Sequence, residues 1–216
     1  MAGLTVKPEK VVFATQGISF LGHLVSPTGV RIDPERTREF REFPAPHDTR
    51  GISRFIGMVN FYHKFMPRLA GVAAPLNAMP KKGVKFTWGQ EQQQAFEALK
   101  QAISQPPALR MADFSEKFIL QTDTNGVALG AVLSEERDGV RQLTAYASRT
   151  LSTQERKALS TYKLECLAVL FGTEEVRKYI EHQEFILETD NQALSWLLSH
   201  PGKWERLAAG CCGYLR

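Results

Sequence analysis

The sequence of 216 residues has few of the residues that build disulfide-rich or zinc-binding proteins. Three cysteines occur, Cys166, Cys211 and Cys212, and two of them are adjacent. An odd number of cysteines with this spacing offers neither a disulfide framework nor the ligand pairs of a zinc site. The sequence therefore favours a reducing, intracellular setting, and it does not distinguish the cytoplasm from the nucleus.

Long hydrophobic runs are also missing. No apolar run approaches the roughly 20 residues that a membrane-spanning helix needs, and the first 17 residues contain no hydrophobic region of a signal peptide. We therefore expect no membrane partner. Hydrophobic residues make up 43% and charged residues 23% of the chain, which is ordinary for a globular protein that buries a core.

Positive charge is concentrated in the first half of the chain. Residues 1–114 carry 15 Lys and Arg against 9 Asp and Glu, a net charge of +6, whereas residues 115–216 carry 12 against 14, a net charge of −2. This asymmetry favours nucleic-acid contact through the first half and metal binding in the second. A solvated basic face gives the same surplus, so that reading stays open.

The first half predicts a small sheet followed by helices. Residues 11–31 contain short apolar runs separated by Gly and by Ser-Pro-Thr-Gly, which is typical of two or three short antiparallel strands. Asp33 and Pro34 suit the start of a helix that ends before two prolines. Further helices are predicted at 49–69 and 89–105. The apolar side of the helix at 49–69 is expected to contain Ile52, Phe55, Ile56, Val59 and either Phe61 or Tyr62.

Basic side chains alternate with aromatic ones along the predicted helix at 49–69, and a lysine cluster follows it. Burial of the aromatics in a core explains the aromatic stripe by itself. Basic side chains at the edge of such a helix can still contact phosphates. Nucleic-acid contacts are therefore predicted at Arg54, His63, Lys64, Arg68, Lys81 and Lys82.

After residue 116 the pattern changes to strands and helices in alternation. Three strands in a meander precede a helical segment that is interrupted near Ser160, a fourth strand and a last short helix. A return to a fourth strand through a helix requires at least one parallel pair, which predicts an α/β layer arrangement. The boundary between the two parts is expected near residues 105–115. The predicted elements of this part are strands at 117–123, 128–135, 141–148 and 185–190 and helices at 152–182 and 191–200.

Two aspartates close strands in the same Thr-Asp step, Asp123 in ILQTD and Asp190 in ILETD. Adjacent strands that end at one sheet edge would hold both carboxylates close together, and their repulsion calls for a cation. Each residue also has a local alternative. Asp123 begins Asp-Thr-Asn-Gly, which is good turn chemistry, and either Asp190 or Asn191 can cap the following helix.

Glu165 is the third candidate acid. It shares a helical stripe with Ala168, Val169 and Gly172, so it is expected on the packed side of its helix, although a surface glutamate is the commoner case. A partly buried glutamate without a basic partner along its helix indicates a metal site or a carboxylate cluster. Oxygen ligands without His or Cys favour Mg²⁺ or Mn²⁺ over zinc. Pairs of such ions, about 4 Å apart, assist phosphodiester hydrolysis.

Several segments together resemble, in order, the pol polyprotein of gypsy-type LTR retrotransposons, from the thumb and connection region of the reverse transcriptase into its RNase H domain. The resemblance covers nearly everything from about residue 10 to 200, and the number of motifs in order makes it very specific. The segments that carry it are ISFLGHLVSPTGVRIDPERTREFREFPAP, ISRFIGMVNFYHKFMPRLAGVAAPL, FTWGQEQQQAFEALKQAISQPPAL, DFSEKFILQTDTNGVALGAVLSE, TAYASRTLSTQER, LECLAVLFGTEEVRKYI and FILETDNQALSWLL.

This resemblance implies a fold class and a domain organisation. The fold class is α/β, with an α+β first part. It implies an RNase H-like mixed sheet with flanking helices, preceded by a small thumb or connection domain of strands and helices. The implied domains are a primer-grip, thumb and connection region at 1–110, an RNase H-like domain at 111–200, and a tail at 201–216 that does not match the family.

The resemblance also implies a site and a reaction. Asp123, Glu165 and Asp190 match the family's catalytic acids, which bind Mg²⁺ or Mn²⁺ in the hydrolysis of RNA in RNA–DNA hybrids. The implied partners are an RNA–DNA hybrid and the polymerase domain of the same polyprotein. An aspartic protease is excluded, because Asp-Thr-Asn-Gly lacks the Asp-Thr-Gly spelling of that class.

Two departures from the family pattern leave an alternative function open. The Tyr-x-Asp-Asp turn of the polymerase does not occur, so DNA synthesis by this polypeptide alone is not expected. The resemblance also ends after Pro201, before the family segment that carries a fourth catalytic acid. An RNase H domain truncated in this way can be an active nuclease or a catalytically inactive remnant that binds nucleic acid or a partner.

Overall fold

The computed structural model describes residues 15–79 and 86–200. Within these ranges the chain forms two sheets and two hydrophobic cores. Lys81, Lys82 and the tail at 201–216 lie outside the described residues.

A three-stranded antiparallel sheet opens the described chain. Its strands are β1 (Ile18–Phe20), β2 (His23–Ser26) and β3 (Gly29–Ile32), in the order β1-β2-β3. The helix α1 (Pro34–Glu42) follows directly, and its N-cap Asp33 accepts a hydrogen bond from the backbone N–H of Glu35. The strands and the helix predicted here are confirmed.

The predicted helix at 49–69 is in fact two helices separated by a break. The helix α2 (Thr49–Phe61) ends eight residues early, and a 3₁₀ turn (His63–Phe65) and an extended stretch lead into α3 (Leu69–Asn77). Pro67 cannot donate a helical hydrogen bond, and Arg68 has a left-handed backbone with φ of 52°. The helix α4 (Gln90–Ser104) confirms the prediction at 89–105.

The first core is largely aromatic and lies between α1, α2, α3 and α4. Tyr62, not Phe61, completes the buried side of α2, since Phe61 is 58% exposed and Tyr62 is 4% exposed. The Tyr62 hydroxyl donates to the carbonyl of Gly22 at 3.2 Å, which ties α2 to the turn between β1 and β2. The largest fully buried side chains of this core are Phe40, Phe55, Met66, Leu76, Phe96, Leu99 and Ile103.

The second sheet is mixed, as the sequence predicts. Its strands are β4 (Phe118–Thr124), β5 (Ala128–Arg137), β6 (Val140–Thr150) and β7 (Phe185–Glu188), in the order β6-β5-β4-β7. The pairs β4–β5 and β5–β6 are antiparallel, and β7 is parallel to β4. The predicted fourth strand was two residues too long, because β7 ends at Glu188.

The helical segment after β6 is interrupted near Ser160, as predicted. It consists of α5 (Thr153–Ala158), α6 (Thr161–Glu175) and α7 (Arg177–Ile180), and α8 (Gln192–Leu198) follows β7. The helix α6 packs against β4 and β5 and buries almost all of its middle residues. This arrangement is a mixed sheet with flanking helices, preceded by a small sheet and helices, which confirms the predicted α/β fold class.

The two cores meet along β6. The backbone N–H of Ala70 donates to the Ser148 hydroxyl at 3.0 Å, and the Thr150 hydroxyl donates to the carbonyl of Ala70 at 3.2 Å. Leu109 belongs to the first core, whereas Ala112 packs against the second. The boundary between residues 110 and 111 stays a prediction. No described helix is long and apolar enough to cross a membrane.

Close contact between α6 and the sheet depends on Gly172. A Cβ atom at this position would lie 2.9 Å from Cγ2 of Thr122 and 3.1 Å from Cβ of Ala131. Both neighbours are buried in the middle of strands, so they have little room to move. The small residue therefore sets the depth at which α6, with Glu165, lies on the sheet.

We expect Gly172→Ala to destabilise the protein. Overpacking costs about 1–3 kcal/mol, and the better helix propensity of alanine offsets about 1 kcal/mol of this. The net loss in the free energy of unfolding by urea is then up to about 2 kcal/mol. Gly57 in α2 is the matched control, because a Cβ there meets nothing within 4 Å, so Gly57→Ala should stabilise. Equal effects of the two substitutions would contradict the close contact.

Candidate active site

Asp123 lies near the end of β4, opposite Gly130 of β5. The turn that follows β4 is held by Asn125, whose side-chain oxygen accepts hydrogen bonds from the backbone N–H groups of Val127 and Ala128 at 3.1 and 3.0 Å. Asn125, and not Asp123, therefore accepts these backbone hydrogen bonds in the turn. The side chain of Asp123 is left 56% exposed at the edge of the sheet.

Asp190 lies two residues beyond β7, at the same edge. The parallel register pairs Gln121 with Glu188, so the carboxyl ends of β4 and β7 are side by side. The helix α8 is capped by Asn191, whose side-chain oxygen accepts a hydrogen bond from the backbone N–H of Leu194 at 3.0 Å. Of the two capping candidates, Asn191 is therefore the N-cap of α8. The Asp190 side chain is exposed.

Glu165 lies on the packed side of α6 and is 7% exposed. Its Oε2 atom is buried without a hydrogen-bond partner among the described residues. Burial, together with the negative charges of Asp190 and Asp123, raises the pKa of Glu165 to about 7. Asp123 and Asp190 are therefore close enough to Glu165 to act on its carboxyl group electrostatically.

The two aspartates line one cleft of about 320 Å³. Gln121 and Tyr146 also line it, whereas Glu165 does not. Neither Gln121 nor Tyr146 is among the site residues predicted from the sequence. Gln121 precedes Asp123 by two positions in β4, so strand alternation alone could have found it. Tyr146 comes from β6, and no signal in the sequence indicates its position.

Arg68 also lines this cleft, although its neighbours Met66 and Leu69 belong to the first core. Its Nη2 atom lies 3.9 Å from Oδ2 of Asp123, and the two side chains are 79% and 56% exposed. This separation is too long for a hydrogen bond, and an ion pair so exposed contributes about 0–1 kcal/mol. The contact therefore adds little to stability.

The donor atoms of this site suit a hard divalent cation. Carboxylate oxygens are the preferred ligands of Mg²⁺ and Mn²⁺, and the buried Oε2 of Glu165 lacks any other partner among the described residues. As they stand, however, the described residues include no group of three or more His, Cys, Asp or Glu side chains that could hold a metal ion. The three carboxylates therefore have the ligand chemistry that a divalent cation prefers. To bind it together, their side chains have to move closer to one another.

The other basic residues predicted to contact nucleic acid lie elsewhere. Arg54 is exposed on α2, and the His63 ring contacts the carbonyl of Asn60 at 2.8 Å. Burial and the nearby Lys178 ammonium lower the pKa of Lys64. Among the four predicted residues that the structure describes, Arg68 is the one that lines the acidic cleft.

Comparisons with known proteins agree with this fold and sequence. Residues 88–187 match the family described as an RNase H-like domain found in reverse transcriptase. The chain is 36% identical over 209 residues to the retrovirus-related Pol polyprotein from transposon 297 of Drosophila melanogaster, a match that covers 95% of this chain and 19% of the relative. Identity is 33% over 196 residues to the Pol polyprotein from transposon 412 of the same species, which covers 91% and 16%.

A third relative, the transposon Tf2-3 polyprotein of Schizosaccharomyces pombe, is 32% identical over 198 residues, with 89% of this chain and 15% of the relative covered. The chain thus spans less than a fifth of the length of these three relatives. Among solved structures, the foamy viral protease-reverse transcriptase in complex with an RNA/DNA hybrid matches with a TM-score of 0.72 and 16% identity, over 90% of this chain and 27% of that one. The same protein in complex with dsDNA matches with a TM-score of 0.74 and 15% identity, over 90% and 42%.

Proposed function

We propose that this chain, whose residues 88–187 match the family of RNase H-like domains found in reverse transcriptase, hydrolyses the RNA strand of RNA–DNA hybrids with the help of Mg²⁺ or Mn²⁺. One observation carries the proposal. The buried carboxylate of Glu165, with an oxygen that no described group satisfies, lies within electrostatic reach of Asp123 and Asp190. Such a cluster of acids is costly in a folded protein unless it serves a cation.

The side chains have distinct parts in this reaction. Asp123 and Asp190 present exposed carboxylate oxygens at the cleft, and Glu165 presents one from the buried side. Bound Mg²⁺ would supply Lewis acidity toward the phosphate oxygens and lower the pKa of an attacking water. Because the pKa of Glu165 is about 7 before a cation binds, protons compete with the cation for its carboxylate below neutral pH, so cleavage at subsaturating Mg²⁺ should increase from pH 6 to pH 8.

Recognition of the hybrid uses both halves of the chain in this proposal. Enzymes that act on such hybrids distinguish RNA from DNA through the 2′-hydroxyls, and the net charge of +6 on residues 1–114 favours binding to the phosphate backbone. The further partner we propose is the polymerase domain of the same polyprotein. The proposed setting is intracellular.

A cleavage assay tests the proposal. The purified chain is incubated with a hybrid labelled on the RNA strand, in Mg²⁺ and, separately, in EDTA, with duplex DNA and duplex RNA as control substrates. We expect cleavage of the RNA strand of the hybrid in Mg²⁺ and none in EDTA. Cleavage that persists in EDTA would indicate a contaminating nuclease or a different mechanism.

A second candidate is a catalytically inactive remnant that binds nucleic acid or a partner through its basic half. One observation favours it: among the described residues, no three acidic side chains are placed to hold a metal ion. The same assay separates the two functions. Hybrid binding by the chain without any cleavage in Mg²⁺ or Mn²⁺ would select the remnant.

A further inference from the structure

Arg68 occupies a backbone conformation that arginine does not favour. It precedes α3 with φ of 52°, and its side chain makes no capping hydrogen bond. Glycine and asparagine adopt this left-handed region most readily, and for other residues it is uncommon. Non-glycine residues in such conformations cluster at functional sites. Because the backbone conformation here favours glycine or asparagine, it does not explain why an arginine stands at this position. A role of the arginine side chain would explain it.

The backbone beside Arg68 is fixed against the second core. Leu69 is 5% exposed, and both backbone groups of Ala70 are hydrogen bonded to the hydroxyls of Ser148 and Thr150 on β6. The base of the Arg68 side chain is therefore held at the rim of the cleft. Its outer atoms are free to reorient, because the side chain is 79% exposed.

The Arg68 guanidinium has hydrogen-bond donors with which it can bind a ligand. Its recorded contact with the cleft is the long 3.9 Å approach to Asp123, whereas a guanidinium carries five N–H donors in a planar fork. This fork matches the oxygens of a phosphodiester and forms two parallel hydrogen bonds with them. A phosphodiester beside the acidic cleft would gain these bonds without displacing a strong existing contact.

We infer that Arg68, immediately before α3, binds a backbone phosphate of the RNA–DNA hybrid next to Asp123. The inference rests on the proposed function for the identity of the ligand, and it assigns to the cleft a substrate-binding residue from outside the RNase H-like family match. The binding site then combines Arg68, which precedes α3, with the acidic residues of the second sheet. The hydrogen bonds of Ala70 to β6 hold these two parts of the site together.

Hybrid binding in EDTA tests this contact separately from cleavage. We expect Arg68→Asn to weaken binding of a fluorescein-labelled RNA–DNA hybrid by about 10- to 100-fold in fluorescence anisotropy, the range given by 1.5–3 kcal/mol for a charged hydrogen bond. The slope of log Kd against log salt concentration should also decrease by about one, which is the contribution of one phosphate contact. Arg68→Lys should restore part of the affinity, because it keeps the charge and loses the fork.

Two controls make the result specific. Arg38, exposed on α1, provides the same charge change at another position, and Arg38→Asn should bind the hybrid like the unsubstituted chain. Urea unfolding of Arg68→Asn should show unchanged or higher stability, because asparagine tolerates the left-handed backbone.

Three outcomes would overturn the inference: equal affinity of Arg68→Asn and Arg38→Asn, loss of affinity together with loss of stability, or no hybrid binding by the unsubstituted chain. Absence of cleavage in Mg²⁺ with Arg68-dependent binding intact would instead reject the nuclease and support the phosphate contact.

Discussion

Asp123→Asn is expected to lower the rate of hybrid cleavage by about 10³-fold or more and to leave the fold intact. Metal-bound carboxylates support several kcal/mol of transition-state charge stabilisation, and each 1.36 kcal/mol corresponds to a tenfold change in rate. The fold should survive, because the Asp123 side chain is 56% exposed and its ion pair with Arg68 is long. Single-turnover cleavage in Mg²⁺ measures the rate, and circular dichroism verifies the fold.

The same substitution has a second, independent readout. The charge of Asp123 contributes to the raised pKa of Glu165, so its removal should lower that pKa, which ¹³C NMR of the labelled carboxyl group can follow. Asp138→Asn is the matched control. Asp138 lies with Gly139 in the turn between β5 and β6, both with positive φ, and asparagine suits such a turn. Cleavage by Asp123→Asn at the rate of Asp138→Asn would remove Asp123 from the site.

The acidic residues could be predicted from the sequence because each depends on a local periodic pattern. Strand alternation ends at Asp123, and a helical stripe of small residues brings Glu165 to the packed side of α6. The parallel pairing of β7 with β4 follows from the helical connection between them. These patterns, together with the family resemblance, predicted the mixed sheet and the proximity of the three acids.

The contribution of the first core to the cleft could not be predicted in this way. The apolar spacing of residues 49–69 continues across Pro67, so the sequence favoured one helix where the structure has a break. The position of Arg68 beside Asp123 depends on this break and on hydrogen bonds from Ala70 to residues about 80 positions later. Tyr146 reaches the cleft through the register of the sheet, in which it pairs with Val132 of β5 and Val132 pairs with Gln121 of β4. Contacts between distant segments leave no periodic signal in a single sequence.

Glu165 links the site to the stability of the whole protein. In the unfolded chain a glutamate titrates with a pKa near 4.5, and burial beside two carboxylates raises the pKa of Glu165 to about 7 in the folded protein. Between these values the folded state binds more protons than the unfolded state, so the free energy of unfolding falls as pH rises through this window. The loss approaches about 3 kcal/mol if each pKa unit costs 1.36 kcal/mol.

Glu165→Gln is therefore expected to raise the free energy of unfolding at pH 8 by about 1–3 kcal/mol. It should change this free energy little at pH 4.5, where the folded carboxyl group is protonated and the unfolded one is about half protonated. Urea titrations at the two pH values measure the difference. Glu175→Gln, exposed on the same helix, should show no such pH dependence.

Saturating Mg²⁺ in the absence of hybrid should stabilise the unsubstituted chain at pH 8 and leave Glu165→Gln nearly unchanged, because a cation that binds the folded carboxylates shifts the equilibrium toward the folded state. An equal effect of Glu165→Gln at both pH values would show that its carboxylate is not destabilised by burial, and the electrostatic basis of the proposed metal site would then be lost.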